Sequence, residues 1–316
     1  MDEAQASQVG PSTRDLTPEG AFVRNAYVFG DWISADGRSG YKAEPGRYTL
    51  YVQHACPWCH RVMIVRSLLG LEDALPVVVA DPIRDERGWT FHSNDRRNGF
   101  TFLSEAYLAT DPTFSGRFTV PSIWDPQRHR VVSNRFDDMT IMLETEFTDL
   151  QRTPVDLYPA ALRPEINELN GRMYRMFNNG VYRAGFATTQ ASYEAAFDDV
   201  FAMLDEMEAR LARARYLVGN RLTEADVHAF PTLVRFDTVY AVHFKCNLRR
   251  IVDYPNLWAY TRDLYQRPAF GGTTRFDDIR RHYYMTHGHI NPTRIVPKGP
   301  ALDWTAPHGR EALGPA

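Results

Sequence analysis

The run Ala55-Cys56-Pro57-Trp58-Cys59-His60-Arg61 holds two of the chain's three cysteines, spaced C-x-x-C. In a reducing compartment such a pair performs thiol–disulfide chemistry or binds a metal. Metal is the weaker reading: structural zinc takes four ligands, and Cys246 is the only other cysteine. His282, His287 and His289 are read as surface histidines, so no metal site is expected. The thiol reading has a mechanism. A cysteine attacks as its thiolate, and the open N–H groups of a helix N-terminus stabilise that anion. Pro57 suits a first helical turn, where its missing N–H deprives no acceptor. Cys56 is therefore expected to open a helix as a reactive thiol. Cys59, one turn on and on the same side, is either a thiol that resolves a mixed disulfide on Cys56 or a buried structural cysteine.

The elements that must position Cys56 follow from periodicity. Tyr48–Val52 is β-branched and aromatic and reads as a strand. Residues 61–69 carry apolar positions at helical spacing and end at Gly70. The apolar run 75–80 suits a buried parallel strand, giving a βαβ unit. Residues 81–117 form a long polar and aromatic insertion, of a length that implies function or structure of its own. Residues 118–124 and 129–133 predict a hairpin through Asp125-Pro126, and 135–149 a helix. The order is thioredoxin-like. Pro121 interrupts a strand, which demands an explanation. A cis Val120-Pro121 bond supplies one, since thioredoxin-like proteins place a cis-proline opposite the active cysteine; an edge-strand trans-proline is the alternative.

Beyond Pro154 strand signals vanish. Residues 160–178, 190–213, 224–240, 255–266 and 274–285 show helical spacing, and Thr223-Glu224-Ala225-Asp226 is a capping box with a structural Asp226. The expected fold class is α/β plus all-α. The expected division is an arm over 1–45, with a short ordered piece at 27–33, a thioredoxin-like domain over 46–150, an all-helical domain over 155–290 and a tail over 291–316. The linker is expected at 151–156.

Composition narrows the functional classes. The 316 residues are 44% apolar, enough for a sizeable core, and the net charge of −3 leaves no footprint for nucleic acid. No stretch approaches the roughly 20 apolar residues of a membrane span. Met1–Thr17 is polar, without a signal-peptide core, so a cytoplasmic protein is expected.

Several further segments carry a resemblance. They are Cys56-Pro57-Trp58 with His60-Arg61, Gly88-Trp89-x-Phe91, Ser115-Gly116-Arg117-x-Thr119-Val120-Pro121 and Asn178-Asn179-Gly180-Val181-Tyr182-Arg183-Ala184-Gly185-Phe186-Ala187. Leu233-Val234-Arg235-Phe236-Asp237-x-Val239-Tyr240, His243-Phe244-Lys245-Cys246-Asn247 and Asn291-Pro292 continue the series. Over about residues 30–300 the chain resembles the glutathionyl-hydroquinone reductases, the Xi-class glutathione transferases. The resemblance implies a thioredoxin-like domain, a helical transferase-like domain and a homodimer. It implies that Cys56 attacks the sulfur of a thiol-conjugated hydroquinone, and that a second thiol reduces the resulting mixed disulfide. Trp89, Arg117, Val120 and Pro121 would then line the thiol site. Tyr182, Tyr240 and Tyr283 or Tyr284 would line the hydroquinone pocket, where phenols hydrogen-bond a developing phenolate; core packing is the alternative for each tyrosine.

Two departures bear on the thiol. The family carries alanine where this chain has Cys59, which opens a dithiol route. It also carries Asn-Glu-Ser where this chain has Asn134-Arg135-Phe136, so a carboxylate that pairs with the γ-glutamyl ammonium of glutathione becomes a guanidinium. A charged hydrogen bond of that kind contributes roughly 1.5–3 kcal/mol. Glutathione is therefore expected to bind poorly in its usual pose. One explanation is a thiol without a free glutamyl group, such as mycothiol, with Arg135 on its hydroxyls. Another is a different electrophile with no small thiol at this position. The remaining function classes are an S-transferase that conjugates a small thiol to an electrophile, and a noncatalytic binding protein on a transferase scaffold.

Overall fold

The computed structural model describes residues 7–11, 15–92 and 95–314. The chain forms two compact units. The first gathers residues up to Arg14, Asn25–Val155 and Arg275–Val296; the second gathers Asp15–Arg24, Asp156–Thr274 and the residues from Pro297 onward.

The first unit is built on a four-stranded sheet. A short parallel pair, β1 (Ile33–Ser34) and β2 (Tyr41–Lys42), precedes it. Then come β3 (Thr49–Val52), α1 (Pro57–Leu68), β4 (Val77–Val79), α2 (Leu103–Thr110), β5 (Ser122–Asp125), β6 (Arg130–Ser133) and α3 (Phe136–Glu146). The sheet order is β4-β3-β5-β6, with β3 parallel to β4 and antiparallel to β5. All four β3 residues are buried. Helices α1 and α3 pack on each other, and their Val62, Val65, Met139, Met142 and Leu143 are fully buried. At Gly70 the backbone turns left-handed (φ +63°) and the Leu71 N–H reaches the Arg66 carbonyl, which ends α1. The insertion after β4 has structure of its own. It holds α2 and a bridge between Thr90 and Phe102. Buried Asp95 pins it to the sheet by accepting from the Tyr51 hydroxyl and from the Arg97 and Asn98 N–H groups.

The sequence reading put the helix at 274–285 in the helical domain. It forms as Phe276–Thr286, the last long helix (α10), and packs within the sheet-bearing unit. His282 and His287 are buried there, which corrects the surface reading. Within the ordered piece expected at 27–33, Gly30 is bridged to Ser133 and the Asp31 N–H donates to the Val132 carbonyl, and Ile33 begins β1.

The second unit is helical: α4 (Arg163–Met173), α5 (Gly180–Gly185), α6 (Gln190–Leu211), α7 (Glu224–Arg235), α8 (Pro255–Tyr265) and α9 (Pro268–Gly271). The single helices read at 160–178 and 224–240 each end in a π-helical turn, over Tyr174–Asn178 and Phe236–Tyr240. A wide turn inside an α-helix is a local distortion that 3.6-residue periodicity does not reveal. Asp226 is fully buried at the α7 N-terminus. It accepts from the Thr223 and Leu217 N–H groups and from the Tyr260 hydroxyl, which is the structural role the capping box predicts.

The expected tail is divided: residues 291–296 belong to the first unit, and those from Pro297 onward to this one. Trp304 packs against Trp258 and Tyr265. Arg310, 2% exposed, donates to the carbonyls of Leu211, Ala214 and Arg215 at the end of α6. Among the described residues no helix is long and apolar enough to cross a membrane, and no group of His, Cys, Asp or Glu is arranged to hold a metal ion.

Candidate active site

Cys56 is the N-cap of α1, with extended backbone (φ −71°, ψ 119°) and Pro57 in the first turn. Its sulfur accepts the Cys59 N–H at 3.4 Å and donates to the Val120 carbonyl at 3.5 Å. The Val120-Pro121 bond is cis. The thiol thus lies between the first-turn N–H groups, which favour its anion, and the backbone carbonyl just before the proline. Cys56 is 9% exposed and Cys59 1%. The Cys59 sulfur sits 3.5 Å from the Gln53 N–H, toward the end of β3. No disulfide joins Cys56, Cys59 and Cys246. Cys246 belongs to the helical unit, and burial pushes its thiol up to about 12.

Trp58, next in α1, stacks on Phe136 at the start of α3, with centroids 4.4 Å apart and planes within 12°. The Arg61 guanidinium lies 4.8 Å over Trp58 and 3.7 Å from Asp137. Phe136, 2% exposed, therefore supports the reactive turn from beneath; its ring is covered by Trp58 and Tyr27 and offers no face to a thiol. Arg135 caps α3, its side chain 52% exposed, with Nε 2.9 Å from Asp138. Its stem lies against Gly30. This changes the arithmetic for glutathione. A half-exposed guanidinium already neutralised by a neighbouring carboxylate repels an ammonium by about 1 kcal/mol or less, so the repulsion is small and the main loss is the attraction of the family's carboxylate.

Trp89 is buried between the Arg84 guanidinium at 4.9 Å and the His282 ring at 5.2 Å, and His282 Nδ1 lies 2.7 Å from the Pro82 carbonyl. Arg117 donates to the Gly10 carbonyl, and Gln8 bonds the backbone of Gly116 and Phe118 in the extended segment before β5. Tyr283 and Tyr284 are buried in α10 of this unit; burial pushes the Tyr284 phenol up to about 12. In the helical unit, Tyr182 and Tyr240 meet at 5.9 Å, with Phe244 5.4 Å from Tyr182 and stacked on Tyr240 at 5.5 Å. Tyr182 is 8% exposed and Tyr240 fully buried.

Two neighbours of these residues were not legible in the sequence. His54, two residues before Cys56, pairs with Asp278 of α10 at 2.9 Å. Arg24 lies over Tyr182. Each contact spans more than 150 positions, and no local spacing announces it.

A thioredoxin-like sheet with a cysteine capping its first long helix, joined to a helical unit, defines an enzyme of the glutathione transferase superfamily. Residues 55–146 match the glutathione S-transferase N-terminal domain family, and 190–263 the C-terminal domain family. The chain is 47% identical to the glutathionyl-hydroquinone reductase YqjG of Escherichia coli, over 92% of this chain and 93% of that one. The glutathione-bound structure of YqjG superimposes with a TM-score of 0.87, covering 90% of this chain and 96% of that one. PcpF of Sphingobium chlorophenolicum, also a glutathionyl-hydroquinone reductase, is 46% identical over 89% of this chain and 90% of its own. The Xi transferase of Phanerochaete chrysosporium, 42% identical, gives a TM-score of 0.91 with 96% and 99% covered. The chain belongs to the glutathionyl-hydroquinone reductases, the Xi class of glutathione transferases.

Proposed function

We propose that the protein removes a low-molecular-weight thiol from a thiol-conjugated hydroquinone, with Cys56 as nucleophile. The observation that carries this is the Cys56 sulfur at the α1 N-cap, within hydrogen-bond reach of the carbonyl that precedes cis-Pro121. Attack at sulfur requires a sink for the electron pair of the breaking C–S bond. The ketone tautomer of the conjugate provides it: the pair becomes an enolate, which is the phenolate of the released hydroquinone. The Cys56–S–thiol bond forms as the C–S bond breaks. A second thiol molecule then attacks the mixed disulfide, releasing the symmetrical disulfide and Cys56 thiolate, while a proton reaches the phenolate. Trp89, Arg117 and Val120 are proposed to hold the thiol, and Tyr182, Tyr240 and Tyr283 or Tyr284 to bind the ring and its developing charge.

Glutathione is the thiol we favour, supported by the glutathione-bound relative and by the screened charge of Arg135. A second reading, mycothiol, rests on Arg135 itself, which is suited to sugar hydroxyls. Steady-state rates with conjugates of either thiol separate the two. Arg135→Glu should lower the KM for glutathione by about fivefold, in line with about 1 kcal/mol; no saturation by glutathione in either form would favour mycothiol. A homodimer is part of the proposal, and light scattering after size exclusion tests it.

The deciding experiment is intact-mass analysis with a thiol-conjugated hydroquinone. Wild type should release hydroquinone and gain one thiol on Cys56, and Cys56→Ser should do neither. Retained turnover in Cys56→Ser would instead favour an S-transferase, in which the thiol cofactor is the nucleophile.

A further inference from the structure

One cation beside the aromatic cluster takes no part in the reaction as written. Arg24 ends the segment Asp15–Arg24, which packs within the helical unit. The Gly20 carbonyl accepts from the Thr188 N–H at 3.0 Å, and the Glu19 carbonyl accepts from the Thr189 and Ser192 hydroxyls at 2.7 and 2.9 Å. Phe22, 6% exposed, meets the Phe186 ring edge-on at 5.2 Å. These contacts fix the segment at the junction of α5 and α6. Arg24 Nε donates to the Asn179 side-chain oxygen at 3.1 Å, and Asn179 is the residue that opens α5. The guanidinium carbon then stands 5.2 Å from the Tyr182 ring centroid and 5.6 Å from that of Phe22.

A guanidinium held at this distance from a ring is attracted to it. It also draws electron density from the ring, which makes the phenol a stronger hydrogen-bond donor. Tyr182 is the more exposed of the paired tyrosines, and its ring is wedged by Tyr240, Phe244 and Phe186. We propose that Arg24 is a positioning residue of the acceptor pocket: acting through Tyr182, it strengthens the hydrogen bond given to the oxyanion of the departing hydroquinone. This rests on the reading that Tyr182 lines that pocket. Charge on the leaving oxygen develops in the transition state, so the effect belongs in kcat rather than in binding of the thiol. The preference it creates is for hydroquinones of low acidity, whose phenolates need the most help.

The test is steady-state kinetics of Arg24→Gln and Arg24→Lys, each alone and with Tyr182→Phe, on glutathionyl conjugates of hydroquinones that differ in ring acidity. Arg24→Gln should lower kcat about tenfold, leave the KM for glutathione unchanged and lose most on the least acidic ring. Arg24→Lys, which keeps the charge, should recover most of the rate. In the Tyr182→Phe background Arg24→Gln should cost less than about twofold, because the two act as a unit. An equal loss in both backgrounds, an equal loss in the Lys and Gln variants, or a lowered melting temperature with kcat intact would each overturn the proposal. Tyr182→Phe with unchanged kcat would sink the pocket reading itself; an impaired Tyr182→Phe beside a silent Arg24→Gln would sink only the role of Arg24. Should Arg24→Gln fail to fold, Arg24→Met, which also removes the charge, carries the test: it should steepen the dependence of kcat on ring acidity, and an unchanged dependence overturns the proposal.

Discussion

Cys56 and Cys59 share a motif and differ in surroundings. Cys56 faces the Val120 carbonyl, whereas Cys59 is 1% exposed and turned toward the Gln53 N–H. A resolving thiol must reach the sulfur it attacks, and burial beside Gln53 speaks against that role for Cys59. Cys59→Ser is therefore expected to retain turnover within about threefold, in keeping with a volume-conserving change at a site outside the chemistry. A Cys56 adduct that accumulates only in Cys59→Ser, seen by intact mass, would show the opposite. The place of Cys56 at the N-cap of α1 was legible because it depends on the immediate neighbours in sequence. Arg135 was legible as an altered residue but not in its effect, because the Asp138 pairing and half-exposed position that screen it exist only in the folded chain. His282 and His287 misled for the same reason: histidine is polar by type, yet here one stacks on Trp89 and the other meets Tyr283 edge to face.

At the scale of elements, α1 and α3 meet through Trp58, Phe136 and Arg61 directly behind the reactive turn. Phe136→Ala removes a buried ring from that stack and should cost about 3–5 kcal/mol, read from urea unfolding. The same variant should slow iodoacetamide labelling of Cys56, because the turn that presents the first N–H groups loses its backing. Gly70→Ala tests the helix stop. A Cβ there meets Arg152 Cβ and Thr153 Oγ1 at 3.0 Å, and the positive φ adds about 1–2 kcal/mol of strain, so a fall in melting temperature is expected with Cys56 reactivity unchanged. In the order β-α-β-α-β-β-α, every element but α2, which lies inside the polar insertion, could be read because strand alternation and helical spacing are local properties. The π-helical turns could not, since a change of hydrogen-bond register within a helix leaves the apolar pattern nearly intact.

The whole molecule adds what no segment holds alone. Within the helical unit, Arg215 and Asp263 form a buried pair at 2.8 Å, with Arg267 and His308 close by. Burial opposes the Asp263 charge, but the Arg215 hydrogen bond and the nearby cations outweigh it and hold its carboxyl below the usual range. A carboxyl with a depressed folded-state pKa stabilises the fold fully above its unfolded value, near 4, and loses that contribution as pH falls through the lower folded value. Urea midpoints are thus expected to decline below about pH 4. Asp263→Asn should flatten that decline while costing about 3–5 kcal/mol at neutral pH, because it leaves Arg215 buried without its carboxylate.

The interleaving of the chain also sets an order of events during synthesis. The end of α6 at Leu211 receives its cap from Arg310, 99 positions later. The sheet-bearing unit likewise waits for Arg275–Val296, although its last strand is complete at Ser133. A ribosome extending the chain at about 5–20 residues per second therefore carries both nascent units incomplete for many seconds. For that interval the apolar stripes of α1 and α3 and the unfinished α6 terminus are what a chaperone meets, and each unit can complete its fold only after its closing segment, Arg275–Val296 or the stretch that carries Arg310, has left the ribosome.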